Sequence, residues 1–233
     1  MEIVRSEKHP FQPFLPAGAR ILFLGSFPPQ PHRWCMPFYY PNWINDFWRI
    51  LGLIFFDDKN RFCRVPEKRF DESAIRQFCA SEGLAFYDTA CEVRRLRDNA
   101  SDAFLEVVQP TDVPALLAQI PSCHTLVTTG QKATVVIADM FGCEVPPIGG
   151  CIQIKIPGQA RNDMEGAVRN DMEGTVRNDM EGTVRNDGEG KVCDGVEGTV
   201  GMRTVTFWRM PSTSRAYPLP LERKADAYRR LFQ

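Results

Sequence analysis

The stretch ILFLGSFPPQPHRWCMPFYYPNWINDFWRI, residues 21–50, joins a short apolar run to a helical pattern through a loop rich in proline and aromatic rings. Residues 21–25 (ILFLG) carry no polar side chain, the mark of a strand covered on both faces. Three further runs read the same way: LAFYD (84–88), TLVTT (125–129) and VTFWRM (205–210). Apolar side chains at helical spacing predict helices over 44–54, 71–81, 112–119, 131–141 and 221–232, with Asp71 and Asp112 placed as N-caps. Strands alternating with helices predict an α/β fold of three layers, α/β/α, around a central, mostly parallel sheet of four or five strands. In such sheets ligands bind beyond the carboxyl ends of the strands, so the loops after Leu24, Asp88, Thr129 and Met210 are where function is expected.

The chain has 233 residues, 43% of them hydrophobic, which supplies one core and predicts a single domain over 1–233. Residues 159–200 interrupt it with an eight-residue repeat: QARNDMEG, AVRNDMEG, TVRNDMEG, TVRNDGEG, KVCDGVEG. Its apolar content is too low to build a core, and each unit carries Asn-Asp or Asp-Gly turn signals. A flexible surface insertion is expected, with a β-hairpin extension or a calcium-binding turn array as the alternative. The repeat holds five basic and ten acidic residues, so the net charge of −1 leaves the remainder at +4, compatible with phosphate contact without demanding it. No run of 18 apolar residues exists, and the first residues carry charges and prolines where a secretory signal would be apolar. A soluble, cytoplasmic, monomeric protein without membrane contact is expected. Eight cysteines lie scattered, with no C-x-x-C pair and no histidine at zinc-like spacing, and read as reduced, mostly buried thiols rather than metal ligands.

Three strand ends stand out. After Gly25 and Ser26, five prolines and a series of aromatic rings precede Asn45. Prolines stiffen the backbone and rings offer flat faces, a combination suited to a slot for a planar ligand; an aromatic satellite core is the alternative. TTGQKAT (128–134) places Lys132 at a helix start, a natural phosphate site or simply a solvated lysine. RMPSTSRAYPLP (209–220) sets small hydroxylated residues before Arg215, a turn able to present amides and hydroxyls to phosphate, or an ordinary capped turn.

Taken in order, GSFP, FYYPNWINDFW, TTGQKA and MPSTSRAY resemble motifs of the uracil-DNA glycosylase superfamily, most closely its mismatch-specific thymine/uracil and hypoxanthine branches. The resemblance spans almost the whole chain outside the repeat. It implies that Gly25, Ser26, Phe27 and Tyr40 bind the base, Tyr40 by stacking on it. It further implies that Asn45 of Asn45-Asp46-Phe47-Trp48 is catalytic and that Pro211, Ser212, Thr213, Ser214 and Arg215 press the DNA backbone, with Arg215 filling the space the base vacates. Lys132 is a further DNA contact on this reading. One position departs from the pattern: Phe27 stands where many members carry an Asp or Asn that holds the attacking water. Either Asn45 takes over or the chain is a weak or inactive member, with Asp88 a second candidate for activating water.

The function so implied is hydrolysis of the N-glycosidic bond of a flipped, deaminated base, uracil or hypoxanthine, in double-stranded DNA, the opening step of base excision repair, with no cofactor and no metal. A non-catalytic binder of damaged DNA and an enzyme acting on free nucleosides or nucleotides are the alternatives.

Overall fold

The computed structural model describes residues 5–96, 104–157 and 201–233; the octapeptide repeat lies outside them. Its strands are β1 (Ser6–Lys8), β2 (Ile21–Gly25), β3 (Cys63–Arg64), β4 (Arg69–Phe70), β5 (Leu84–Asp88), β6 (Ala90–Arg95), β7 (Leu105–Pro110), β8 (Thr125–Thr129), β9 (Gly150–Pro157) and β10 (Met202–Met210). Its helices are α1 (Phe47–Phe56), α2 (Glu72–Glu82), α3 (Val113–Gln119), α4 (Gln131–Phe141) and α5 (Leu221–Arg229).

The main sheet has five strands in the order β5-β2-β8-β10-β9. The first four run parallel, and β9 closes the edge antiparallel to β10. Every residue of β2 and β5 is buried, as their apolar runs require. At the edge, β9 alternates, with Ile154 and Ile156 buried between exposed neighbours. Because strand pairing is in register, Gly25 faces Asp88, Leu24 faces Thr128 and Met210 faces Thr129, so four strands finish level at one end of the sheet. That end carries the loops singled out above.

A second sheet, β1-β6-β7, is antiparallel. Since β6 follows β5 after Thr89 alone, this small sheet is fastened directly to the carboxyl end of β5. Pairing of β1 with β6 then brings the N-terminal segment to the same place, and the His9 N–H donates to the Cys91 carbonyl at 2.7 Å.

Asp71 and Asp112 cap α2 and α3 as their positions predict, accepting from Ala74 N at 3.1 Å and Ala115 N at 2.9 Å. Helix α1 starts three residues later than its apolar spacing predicts. The Asp46 N–H is drawn to the Thr213 carbonyl at 2.9 Å, and Asn45 Oδ1 accepts from Phe47 N at 2.9 Å, so the chain turns at residues 43–44 and α1 begins only at Phe47. Of the seven described cysteines, all free, Cys79 and Cys123 are buried, Cys151 is exposed and the others are half-buried. Among the described residues no helix is long and apolar enough to cross a membrane.

Candidate active site

The level strand ends open into a cleft of about 770 Å³. Its floor is Gly25, Asp88, Thr129 and Tyr40; one wall carries Ser26, Phe27, Pro28 and Arg95, the other Asn45 and Ser212 to Ser214. Arg33, Ile44 and Tyr217 also line it.

Tyr40 occupies the left-handed region (φ 49°), costly for a bulky residue and characteristic of positions that the surroundings over-determine. Two contacts do so here. Its ring stacks on Phe47 at 3.9 Å and 8°, and its hydroxyl shares a hydrogen bond with Thr129 Oγ1 at 2.8 Å. One ring face is therefore occupied from behind, while the residue remains partly accessible from the cleft. Burial of the hydroxyl pushes its pKa far up, and the nearby Asp88 carboxylate adds to that against the opposing Thr129 hydrogen bond. Tyr40 is thus a neutral aromatic plate.

Asp88 ends β5 with its side chain 10% exposed. Its Oδ2 receives a hydrogen bond from the nearly inaccessible His9 at 2.9 Å, and its backbone carbonyl accepts from Thr111 Oγ1 at 2.6 Å. Oδ1 has no hydrogen-bond partner among the described residues. Every fully buried side-chain nitrogen or oxygen among the described residues does have one, so Oδ1 is open to the cleft. Gly25 makes the space for it: a Cβ there would lie 2.5 Å from Oδ1.

Asn45 has a divided role. The Phe47 N–H can only donate, so the atom it meets is the amide oxygen. With Oδ1 committed to the start of α1, the Nδ2 donors have no partner among the described residues, and the residue lines the cleft. Asn45 is also bridged to Ser214 by backbone pairing, which joins two segments distant in sequence into one wall of the cleft.

Asp46 explains how that contact is held. Its buried carboxylate accepts from Lys224 Nζ at 3.0 Å and Arg215 Nε at 2.9 Å, while Lys224 Nζ also reaches the Ser214 carbonyl at 2.9 Å. The Tyr228 hydroxyl secures the Pro211 carbonyl at 2.8 Å. Helix α5 and the turn before α1 therefore clamp residues 211–215 from two sides.

The cleft gathers Gly25, Ser26, Phe27, Tyr40, Asn45, Asp88, Ser212, Thr213 and Ser214 out of the residues singled out in the sequence. Pro211, Arg215 and Lys132 stand outside its lining. Lys132 donates to the Leu105 carbonyl at the start of β7, and Arg215 spends its Nε on Asp46 while its side chain stays 46% exposed. Phe27 packs edge-on against His9 at 5.2 Å beneath the Arg95 guanidinium, 5.6 Å away. Arg95 is itself paired with Glu7 and bonded to the Pro28 carbonyl. The sequence does not single out His9, Thr129, Arg33 or Tyr217 as site residues, yet the structure sets them at or beside the cleft. His9 is one of three histidines in the chain, the only sequence signal it offers. Among the described residues no group of three or more His, Cys, Asp or Glu side chains is placed to hold a metal ion.

No family model and no curated protein matches this chain. A solved structure that overlaps it is the solution NMR structure of a provisionally assigned uracil DNA glycosylase from Methanosarcina acetivorans, 22% identical, covering 59% of this chain and 80% of its own, with a TM-score of 0.43. A likeness that slight fixes neither family nor function.

Proposed function

We propose that this protein is a DNA N-glycosylase that hydrolyses the bond between deoxyribose and a flipped, deaminated base, uracil or hypoxanthine, leaving an abasic site and so opening base excision repair. The observation that carries this reading is the open Asp88 Oδ1 on the floor of a cleft that also holds the Tyr40 plate and the Asn45 amide. The cleft volume falls within the range of small-ligand sites.

Base release develops positive charge on the sugar and negative charge on the departing base. The base stacks on the face of Tyr40 opposite Phe47, which backs the ring from behind. Asn45 Nδ2 donates to a base carbonyl oxygen, where the negative charge collects. Asp88 Oδ1 holds the attacking water. As the C1′–N bond breaks, its electron pair goes to the base; the water oxygen bonds to C1′ and the water proton passes to Asp88. This division assigns to Asp88 the water-holding duty that Phe27 cannot perform, and gives Asn45 the base. The Ser212 to Ser214 turn, clamped through Asp46, meets the phosphates beside the extruded nucleotide. Extrusion is cheapest at a weakened pair, so mismatched or damaged duplex DNA is the partner.

The test is incubation of purified protein with end-labelled duplexes, each carrying one uracil, hypoxanthine, xanthine or mismatched thymine, followed by alkali. Strand scission at a deaminated base is expected from the wild type. Asn45→Ala should abolish it while duplex binding persists. A wild-type protein that binds these duplexes and cuts none would instead be a damaged-DNA binder.

A further inference from the structure

We propose that His9 is the positioning residue of the hydrolytic step, holding the Asp88 carboxylate so that one oxygen stays open to the cleft. This rests on the glycosylase reading above and adds to it a residue 79 positions away from Asp88 in the chain.

A carboxylate on a cleft floor rotates freely unless something fixes one oxygen. Among the described residues the only hydrogen bond to either Asp88 carboxylate oxygen comes from His9 Nε2, at 2.9 Å. Gly25 leaves room for Oδ1, and the Tyr40 hydroxyl is committed to Thr129. The His9 side chain is 2% exposed. Its backbone is tied to Cys91, and its ring is enclosed by Tyr87 at 4.6 Å, Phe27 at 5.2 Å and Phe11 at 5.9 Å. The ring is thereby held in place on several sides.

The other ring nitrogen fits this duty in either charge state. Nδ1 lies 3.1 Å from the Phe11 N–H and 2.9 Å from the Phe11 carbonyl. A neutral ring accepts the N–H there; an imidazolium donates to the carbonyl. In both cases the Nε2 proton remains directed at Asp88 Oδ2. The contact that orients Asp88 thus does not depend on the charge of the ring.

The experiment compares base-release rates under enzyme excess, on whichever deaminated duplex the wild type cleaves fastest, for His9→Gln, His9→Asn and His9→Phe. Gln carries an N–H at nearly the reach of Nε2, Asn carries one that falls short, and Phe keeps the ring but no donor. His9→Asn and His9→Phe should lose on the order of 100-fold in rate with duplex affinity unchanged, the scale of a 1 Å misplacement, and His9→Gln should stay within about tenfold of wild type. In an Asp88→Asn background, His9→Asn should add nothing. If His9→Phe does not fold, the Gln and Asn variants decide alone. His9→Asn at the wild-type rate, Gln as slow as Asn, or an equal further loss on top of Asp88→Asn would each overturn the proposal while leaving the glycosylase reading intact. A wild type that releases no base from any duplex would overturn both.

Discussion

Gly25→Ala places a single methyl group against the atom on which the chemistry depends. A Cβ at this position lies 2.5 Å from Asp88 Oδ1 and 4.0 Å from the Tyr40 hydroxyl. Ordinary van der Waals contact requires the carboxylate to withdraw by roughly 1 Å. That withdrawal also disturbs the 2.9 Å hydrogen bond from His9. Gly25 does not occupy the left-handed region, so alanine pays no backbone penalty and the effect is steric. Overpacking of this kind costs about 1–3 kcal/mol of stability, whereas a 1 Å displacement of a reacting group costs on the order of 100-fold in rate, or about 2.7 kcal/mol of barrier. The assay is base release under enzyme excess, so that the observed rate reports chemistry rather than product release, with thermal unfolding measured in parallel. Gly25→Ala should melt several degrees lower, stay folded at the assay temperature, bind duplex normally and cleave about 100-fold more slowly. If Gly25→Ala cleaves at the wild-type rate, or slows Asp88→Asn as much as it slows the wild type, then the displaced carboxylate is not the catalytic group.

Three other perturbations probe the surroundings of the cleft. Lys224→Met removes a partner that is 1% exposed from a carboxylate that is 8% exposed, and should lower unfolding free energy in urea by about 3 kcal/mol. Arg215→Ala removes an exposed partner of the same carboxylate and should cost no more than about 1 kcal/mol, so equal losses would contradict the assigned clamp. Arg33, exposed on the cleft lining and without a side-chain partner among the described residues, should contact phosphate; Arg33→Ala should weaken duplex binding at every sequence and reduce the salt slope by about one, and an unchanged slope would move the DNA path elsewhere. Burial raises the pKa values of Tyr39, Tyr40 and Tyr228 above the ordinary tyrosine value of about 10. The unfolded chain then binds fewer protons than the folded one above that pH. Stability should be intact below pH ~10 and fall as pH rises beyond it, with tyrosinate absorbance appearing together with loss of helical ellipticity. Gradual ionisation ahead of unfolding would show these hydroxyls to be accessible.

Much of the main sheet was legible because its strands are buried on both faces and so carry uninterrupted apolar runs. β2, β5 and β8 fall where ILFLG, LAFYD and TLVTT place them. β9 escaped notice because GCIQIKIP, an edge strand, mixes polar and apolar residues. β1, β6 and β7 escaped because SEK, ACEVRR and LEVVQP bury few side chains. Within the cleft, Tyr40, Asn45 and the Ser212 to Ser214 turn stood out through local composition. Their duties did not: that the Asn45 oxygen accepts from the first N–H of α1 depends on where the helix begins, three residues later than apolar spacing predicts. The Asp46–Arg215 and His9–Asp88 pairs join positions 169 and 79 residues apart, and no local pattern encodes such a meeting. Nothing in the sequence around Arg215 points to Asp46, because that partner lies on a different element.

The most direct measurement is chromatographic quantification of free base released from uracil- and hypoxanthine-containing duplexes by wild type and by Asp88→Asn, which preserves the shape of the side chain and removes its ability to take a proton from water. The expected result is release of intact base by the wild type and a loss of at least about 100-fold in Asp88→Asn, with duplex affinity retained. Release at equal rates by the two proteins, or by neither, would contradict the assignment of this cleft to glycosidic hydrolysis through Asp88.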